Sequence, residues 1–160
     1  NPLFERLARA WIEGPISLYR AVLFTKSERG GTVLPWHQDG GAFWGVDRAP
    51  TLQIWTALDD VPQESGCVEV LPETHLAGLT SPEGGVVPDA LLEAVHAEQR
   101  AVPLPAQAGE VLLIHNHLWH RSRINTTGQR RAALSLCYMS AATRCLRKKR
   151  APRQFTTIFE

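Results

Sequence analysis

His37 and Asp39, in the stretch WHQD, stand one residue apart, and both are metal-ligand types. At the end of a strand, where side chains alternate with period two, both lie on one face and can reach one ion while Gln38 points away. The Gly40-Gly41 pair that follows gives the chain room to leave the metal. Alone, this pair specifies neither metal nor reaction, and a third ligand is needed. The stretch IHNHLWHRS offers His115, His117 and His120. Two histidines and a carboxylate leave three adjacent coordination positions open, the arrangement by which non-haem Fe(II) sites admit a chelating cosubstrate and dioxygen. A zinc hydrolase could use the same ligand types, but it needs an open water position and a general base. Downstream, an arginine at the start of the next strand offers a planar fork matched to a carboxylate, and Ser122 adds a hydroxyl. Such a pair would hold a dicarboxylate.

Strands must position these groups. Segments 16–26, 32–36, 51–58, 67–71, 101–104, 110–115 and 131–139 are short, rich in β-branched, aromatic or leucine residues, and separated by Gly, Pro and Asp/Asn clusters. Two helices are predicted. One starts at Asn1 as N-cap and Pro2, carries Leu3, Phe4, Leu7, Ala8, Trp11 and Ile12, and stops at Gly14-Pro15. The other spans residues 88–100, with Ala90, Leu91, Ala94 and Val95 on one side. Several short strands with few helices predict a mostly β antiparallel sandwich or barrel.

The chain has 160 residues, enough for one domain with its own core. A net charge of +1 gives no global reason to expect nucleic acid as partner. Cys67, Cys137 and Cys145 are odd in number and lack C-x-x-C spacing, which argues against a disulfide framework and fits a reducing, cytoplasmic location. No apolar run approaches the roughly 20 residues of a membrane span. The first residue is Asn1, not Met, so an upstream segment is left open. The stretch RCLRKKRAPR (144–153) holds six basic side chains and is read as a solvated tail, with an anion-contacting strip as the alternative.

The stretches WHQD, WTALDDVPQESGCVEVLPETH, AGEVLLIHNHLWHRS and NTTGQRRAALSL, in that order from about Lys26 to Tyr138, resemble the phytanoyl-CoA dioxygenase family of Fe(II)- and 2-oxoglutarate-dependent oxygenases. The resemblance implies a double-stranded β-helix (a jelly-roll, cupin-like barrel) with a few flanking helices, forming a single oxygenase domain over residues 1–160. It implies that His37, Asp39 and His120 are the catalytic metal ligands. It implies that Arg131, helped by Ser122, grips the far carboxylate of 2-oxoglutarate, and that Trp55 lies beside the cosubstrate. The distal histidine is followed by serine two residues on and arginine eleven residues on, a spacing that differs from the nucleic-acid demethylase branch of the superfamily. Related halogenases carry a small residue in place of the carboxylate, so Asp39 favours hydroxylation of a small-molecule substrate by dioxygen, with release of succinate and CO2.

Strand parity supports Arg131 over Arg130. Arg131 shares a face with Ala133, Ser135 and Cys137, whereas Arg130 shares one with Leu134, Leu136 and Tyr138. In TLQIWTALDD, Leu52, Ile54 and Leu58 pack away from the site. Thr51, Gln53 and Trp55 face it, with a polar rim position as the other reading of Gln53. His115 is read as a buried, hydrogen-bonded strand residue, His117 and His75 as turn residues and His96 as a surface residue; Lys26, ahead of the loop into the His-x-Asp strand, is read as a solvated lysine, with contact to an anion as the alternative. Of Trp36, Phe43 and Trp44, at least one is core, while Phe43 and Trp44 on a loop would suit an apolar substrate. Two other functions remain open: a non-catalytic cupin-like binding module, and a divalent-metal hydrolase of cupin type. Neither accounts for Ser122 and Arg131.

Overall fold

The computed structural model describes residues 1–148 and 151–160. Helix α1 (Pro2–Arg9) begins where the sequence demands: the Asn1 side chain accepts a hydrogen bond from the Leu3 N–H at 2.9 Å, and Pro2 occupies a first turn that needs no donor. It ends at Arg9, earlier than the Gly14-Pro15 stop. Ten strands follow: β1 (Ile16–Lys26), β2 (Leu34–Gln38), β3 (Leu52–Ala57), β4 (Val68–Leu71), β5 (Gly85–Val86), β6 (Val102–Leu104), β7 (Val111–His115), β8 (Trp119–Ser122), β9 (Arg131–Ser140) and β10 (Thr157–Phe159). They form two five-stranded antiparallel sheets, ordered β10-β1-β9-β3-β7 and β5-β2-β8-β4-β6. The fold is the mostly β, cupin-like jelly roll.

Core packing shows how the sheets are closed. Trp55, Ala57 and Ala133 of the first sheet meet Val68 and Val70 of the second in one buried cluster, which fills one end of the sandwich. On the outer face of the first sheet, Ile16, Leu52, Ile54 and Tyr138 pack under Ala8 and Ile12. Alternation then turns Gln53 and Trp55, and Arg131, Ala133, Ser135 and Cys137, inward. Leu58 lies beyond β3 and is exposed.

A bulge in β1 matters for the site. The register with β9 slips between Leu18 and Arg20, leaving Tyr19 as the extra residue. Ile16 and Leu18 pack against the outer cluster, but after the slip Arg20, Val22, Phe24 and Lys26 take the inward face, paired across from Cys137, Ser135, Ala133 and Arg131.

The second sheet is tied together by charge. Arg121 of β8 donates to Glu69 of β4 at 2.6 Å and to Glu98, while Arg123 donates to Glu69 at 2.9 Å and Glu98 at 2.7 Å. These hydrogen bonds hold the Glu98 carboxyl down to about 2. Glu98 lies in α3 (Ala97–Arg100), which follows α2 (Asp89–Ala94). The single helix predicted over 88–100 is therefore two, broken where His96 takes a left-handed conformation at φ 53°. Strands β5, β8 and β10 were not predicted. Of the basic stretch 144–153, residues 149–150 lie outside the described residues; Arg144 pairs with Asp47 and Arg153 packs over Tyr19 and Phe155. Among the described residues no helix is long and apolar enough to cross a membrane.

Candidate active site

β2 and β8 are antiparallel neighbours, and His37 and His120 are direct partners in that pairing. Their rings lie 4.1 Å apart between centroids. Asp39 follows β2 by one residue, and its Oδ2 stands 3.7 Å from His120 Nε2. The ligand atoms of His37, Asp39 and His120 all fall within 4.8 Å of one another, the separation expected of donors that share one ion.

The surroundings prepare each donor. His37 Nδ1 lies 2.8 Å from the Pro35 carbonyl oxygen, and His120 Nδ1 lies 2.8 Å from the Leu118 carbonyl oxygen. A carbonyl only accepts, so both Nδ1 atoms carry the proton and both Nε2 lone pairs are free for a metal. Burial, and then the neighbouring His37, push the His120 pKa down to about 4, so its ring stays neutral. Asp39 Oδ2 accepts from Arg20 at 2.8 Å and from Gln53 Nε2. Gln53 in turn accepts from Ser135 Oγ at 3.0 Å. One carboxylate oxygen is thus fixed from the first sheet.

Gln38 turns away, as its place between two inward residues requires, but it is no passive spacer. Its amide donates to the carbonyls of Gly78 at 2.8 Å and His117 at 2.6 Å and accepts from the Thr80 N–H at 2.8 Å. This buried group ties the turn after β2 to two other loops. Gly40 and Gly41 have φ of 141° and 75°, and a Cβ on Gly41 would run into the backbone of Glu83 and Gly84.

A cavity of about 520 Å³ opens between the sheets. His37, Asp39 and His120 line it near Arg20 and Gln53, and Trp55, Ser122, Ser135, Lys26 and Arg131 line it as well. Arg131 is 4% exposed, and its guanidinium donates to the carbonyls of Ser65, at 3.2 Å, and Gly66. Gly66 sits at φ 72°, where a Cβ would collide with the Arg123 carbonyl. The turn that braces Arg131 therefore demands glycine.

The structure brings His37, Asp39, His120, Arg131, Ser122, Trp55 and Gln53 to one cavity; Thr51 is not among its lining residues. Several readings change. Lys26 is 5% exposed rather than solvated, because the bulge turns it inward and Gly31 packs across its stem. Trp44 is core, stacked on Tyr19 at 4.4 Å, while Phe43 is 78% exposed. Arg20, which no motif marked, reaches Asp39 and lies over the Trp44 ring at 4.6 Å. Only the β1 bulge puts it there. His115, half-buried at the end of β7, accepts from the His117 N–H at 3.1 Å and packs with His75 and His117. That second histidine group has no carboxylate within it and burial lowers the pKa of His115 and His117.

The donors fit a metal of the kind such sites hold: two imidazoles that present Nε2 and a carboxylate suit a divalent first-row ion. Comparison with known proteins gives the family. The profile of the family described as phytanoyl-CoA dioxygenase matches residues 2–133. The chain belongs to that family. A phytanoyl-CoA dioxygenase domain-containing protein 1 from Bos taurus is 30% identical, with 86% of this chain and 50% of that protein covered. An L-proline trans-4-hydroxylase from Streptomyces griseoviridis is also 30% identical, with 86% and 59% covered. Among solved structures, the epimerase SnoN in complex with Fe3+, alpha ketoglutarate and nogalamycin RO superposes with a TM-score of 0.78 at 26% identity, covering 94% of this chain and 60% of that one. The chain spans about half the length of the curated relatives it matches.

Proposed function

We propose that this family member is a non-haem iron, 2-oxoglutarate-dependent dioxygenase that hydroxylates a small organic substrate, with residues 1–160 acting as its oxygenase domain. The observation that carries this reading is the convergence of His37, Asp39 and His120 on a cavity that also holds a buried arginine, Arg131, which forms no ion pair among the described residues. Ligands named for relatives support it: SnoN holds Fe3+ and alpha ketoglutarate, and the Streptomyces relative is a hydroxylase.

In this reading His37 and His120 present Nε2 to Fe(II), and Asp39 supplies the anionic ligand. Arg20 and Gln53 hold the Asp39 carboxylate in one orientation, so the metal does not have to order it. Arg131 and Ser122 hold the far carboxylate of 2-oxoglutarate, and Trp55 walls the space between. When bound, iron and 2-oxoglutarate would activate dioxygen, the oxidant, with 2-oxoglutarate consumed to succinate and CO2; the protein supplies geometry, charge and a cavity between the two sheets.

The test is a succinate-release screen of the iron-loaded protein against acyl-CoA thioesters, free amino acids including L-proline, and polycyclic natural products. Substrate-dependent succinate release with a hydroxylated product supports the reading. Metal-dependent hydrolysis without 2-oxoglutarate would replace it with a cupin-type hydrolase, and 2-oxoglutarate binding with no turnover of any substrate would leave a binding module.

A further inference from the structure

Lys26 and Arg131 are direct partners across the β1–β9 pairing, so their side chains leave the sheet on the same side and both line the cavity. Lys26 is 5% exposed and Arg131 is 4% exposed. Two buried cations side by side are costly, and proteins ordinarily neutralise such groups with acids. Here neither belongs to any ion pair among the described residues. Lys26 donates to the Thr32 carbonyl, and Arg131 donates to the Ser65 and Gly66 carbonyls. Those contacts orient the two charges without cancelling them. Asp39, the acid lining the cavity, is committed to Arg20 and Gln53 near the metal ligands.

The arrangement is also braced to stay put. A Cβ on Gly31 would fall 2.9 Å from Lys26 Cα and 3.1 Å from its Cβ, so the turn after β1 packs directly on the lysine stem. Burial, and then the charge of Arg131, lower the Lys26 pKa to about 8, which leaves it mostly charged at neutral pH. A fold that retains a buried, repelled, acid-free cation pair at the lining of a cavity has built an anion site.

We propose that Lys26 is a second binding residue for the distal carboxylate of the cosubstrate, completing a two-cation clamp with Arg131. This rests on the oxygenase reading above and adds to it a selectivity: the clamp holds 2-oxo acids that end in a second carboxylate and discriminates against those that end in an alkyl group. Arg131 contributes a planar fork held by two carbonyls, and Lys26 contributes a point charge from the neighbouring strand.

Calorimetric titration of the Ni(II)-loaded protein, in which no turnover occurs, tests it. 2-Oxoglutarate is titrated into wild type, Lys26→Met and Arg131→Gln, and 2-oxobutyrate, which lacks the distal carboxylate, into wild type and Lys26→Met. Lys26→Met is expected to weaken 2-oxoglutarate binding by about 10- to 100-fold and to leave 2-oxobutyrate binding unchanged. The metal-free variant should melt at or above the wild-type temperature, because the substitution removes a buried charge and the carbonyl it releases belongs to an exposed residue, Thr32. If Arg131→Gln weakens 2-oxoglutarate binding and Lys26→Met does not, the lysine assignment is overturned while the oxygenase reading stands. If neither matters, the oxygenase reading itself fails. Equal losses for both 2-oxo acids, or a lowered melting temperature, would show that Lys26 is a structural anchor and overturn the proposal.

Discussion

The metal-ligand group and the basic clamp in this cavity are built on opposite principles. The three candidate ligands are each held: each imidazole has its Nδ1 proton on a backbone carbonyl, and Asp39 is held by Arg20 and Gln53. At Lys26 and Arg131 neither charge forms an ion pair with an acid among the described residues. The first arrangement stores orientation, so that three donors already point at one place before an ion arrives. The second stores unbalanced charge, relieved only when an anion binds. A ligand that touches both therefore gains from geometry at one end and from electrostatics at the other.

Removing the metal carboxylate should break the contrast most severely. Asp39→Ala is expected to abolish stoichiometric metal binding and all turnover, as read by metal content after anaerobic loading and by succinate release; wild-type metal content would show that Asp39 is not a ligand. Next comes the arginine pair at the start of β9. Arg131→Gln should weaken 2-oxoglutarate binding about 100-fold, the loss of a charge-assisted bidentate contact, while exposed Arg130→Gln changes it by less than about 2-fold. Equal losses in a titration would refute the parity that separates them. Gln53→Leu, which frees Asp39 from one of its two donors, should cost about 10-fold in metal affinity with little change in 2-oxoglutarate binding once metal is saturating.

The smallest effect concerns pH. Lys26 titrates at about 8, and binding an anion favours its charged form, so 2-oxoglutarate affinity should hold below that pH and fall as pH rises through it. Arg131 stays charged throughout this range, and burial pushes the Cys67 thiol nearby upward, so it stays neutral there. In Lys26→Met the decline should flatten. An unchanged slope in that variant would assign the pH effect elsewhere.

Part of the candidate metal site was legible in the sequence because it is local: His37 and Asp39 sit within three residues, and strand parity separates them from Gln38. His120 and Arg131 lie far along the chain and came from the family resemblance, with parity favouring Arg131 over Arg130. The mostly β fold followed from short, turn-bounded strands. Three things were hidden for physical reasons. Arg20 and Lys26 reach the cavity only because the bulge at Tyr19 reverses the parity of β1, and a bulge has no reliable local signature. Strand β8 is four residues long with no alternating apolar pattern, so its identity comes from pairing with β2 and β4. Trp44 and the break at His96 depend on tertiary packing and on a single left-handed residue, neither of which a periodic pattern registers.

The central claim is that one ligand spans both groups: metal at His37, Asp39 and His120, and a distal carboxylate at Arg131 and Lys26. An anaerobic crystal structure with Fe(II) and 2-oxoglutarate tests it most directly. The account predicts iron at about 2.0–2.2 Å from both imidazole Nε2 atoms and an Asp39 oxygen, with the far carboxylate within hydrogen-bond distance of Arg131 Nη and Lys26 Nζ. Iron bound elsewhere, or a 2-oxoglutarate whose far carboxylate points away from Arg131, would contradict it.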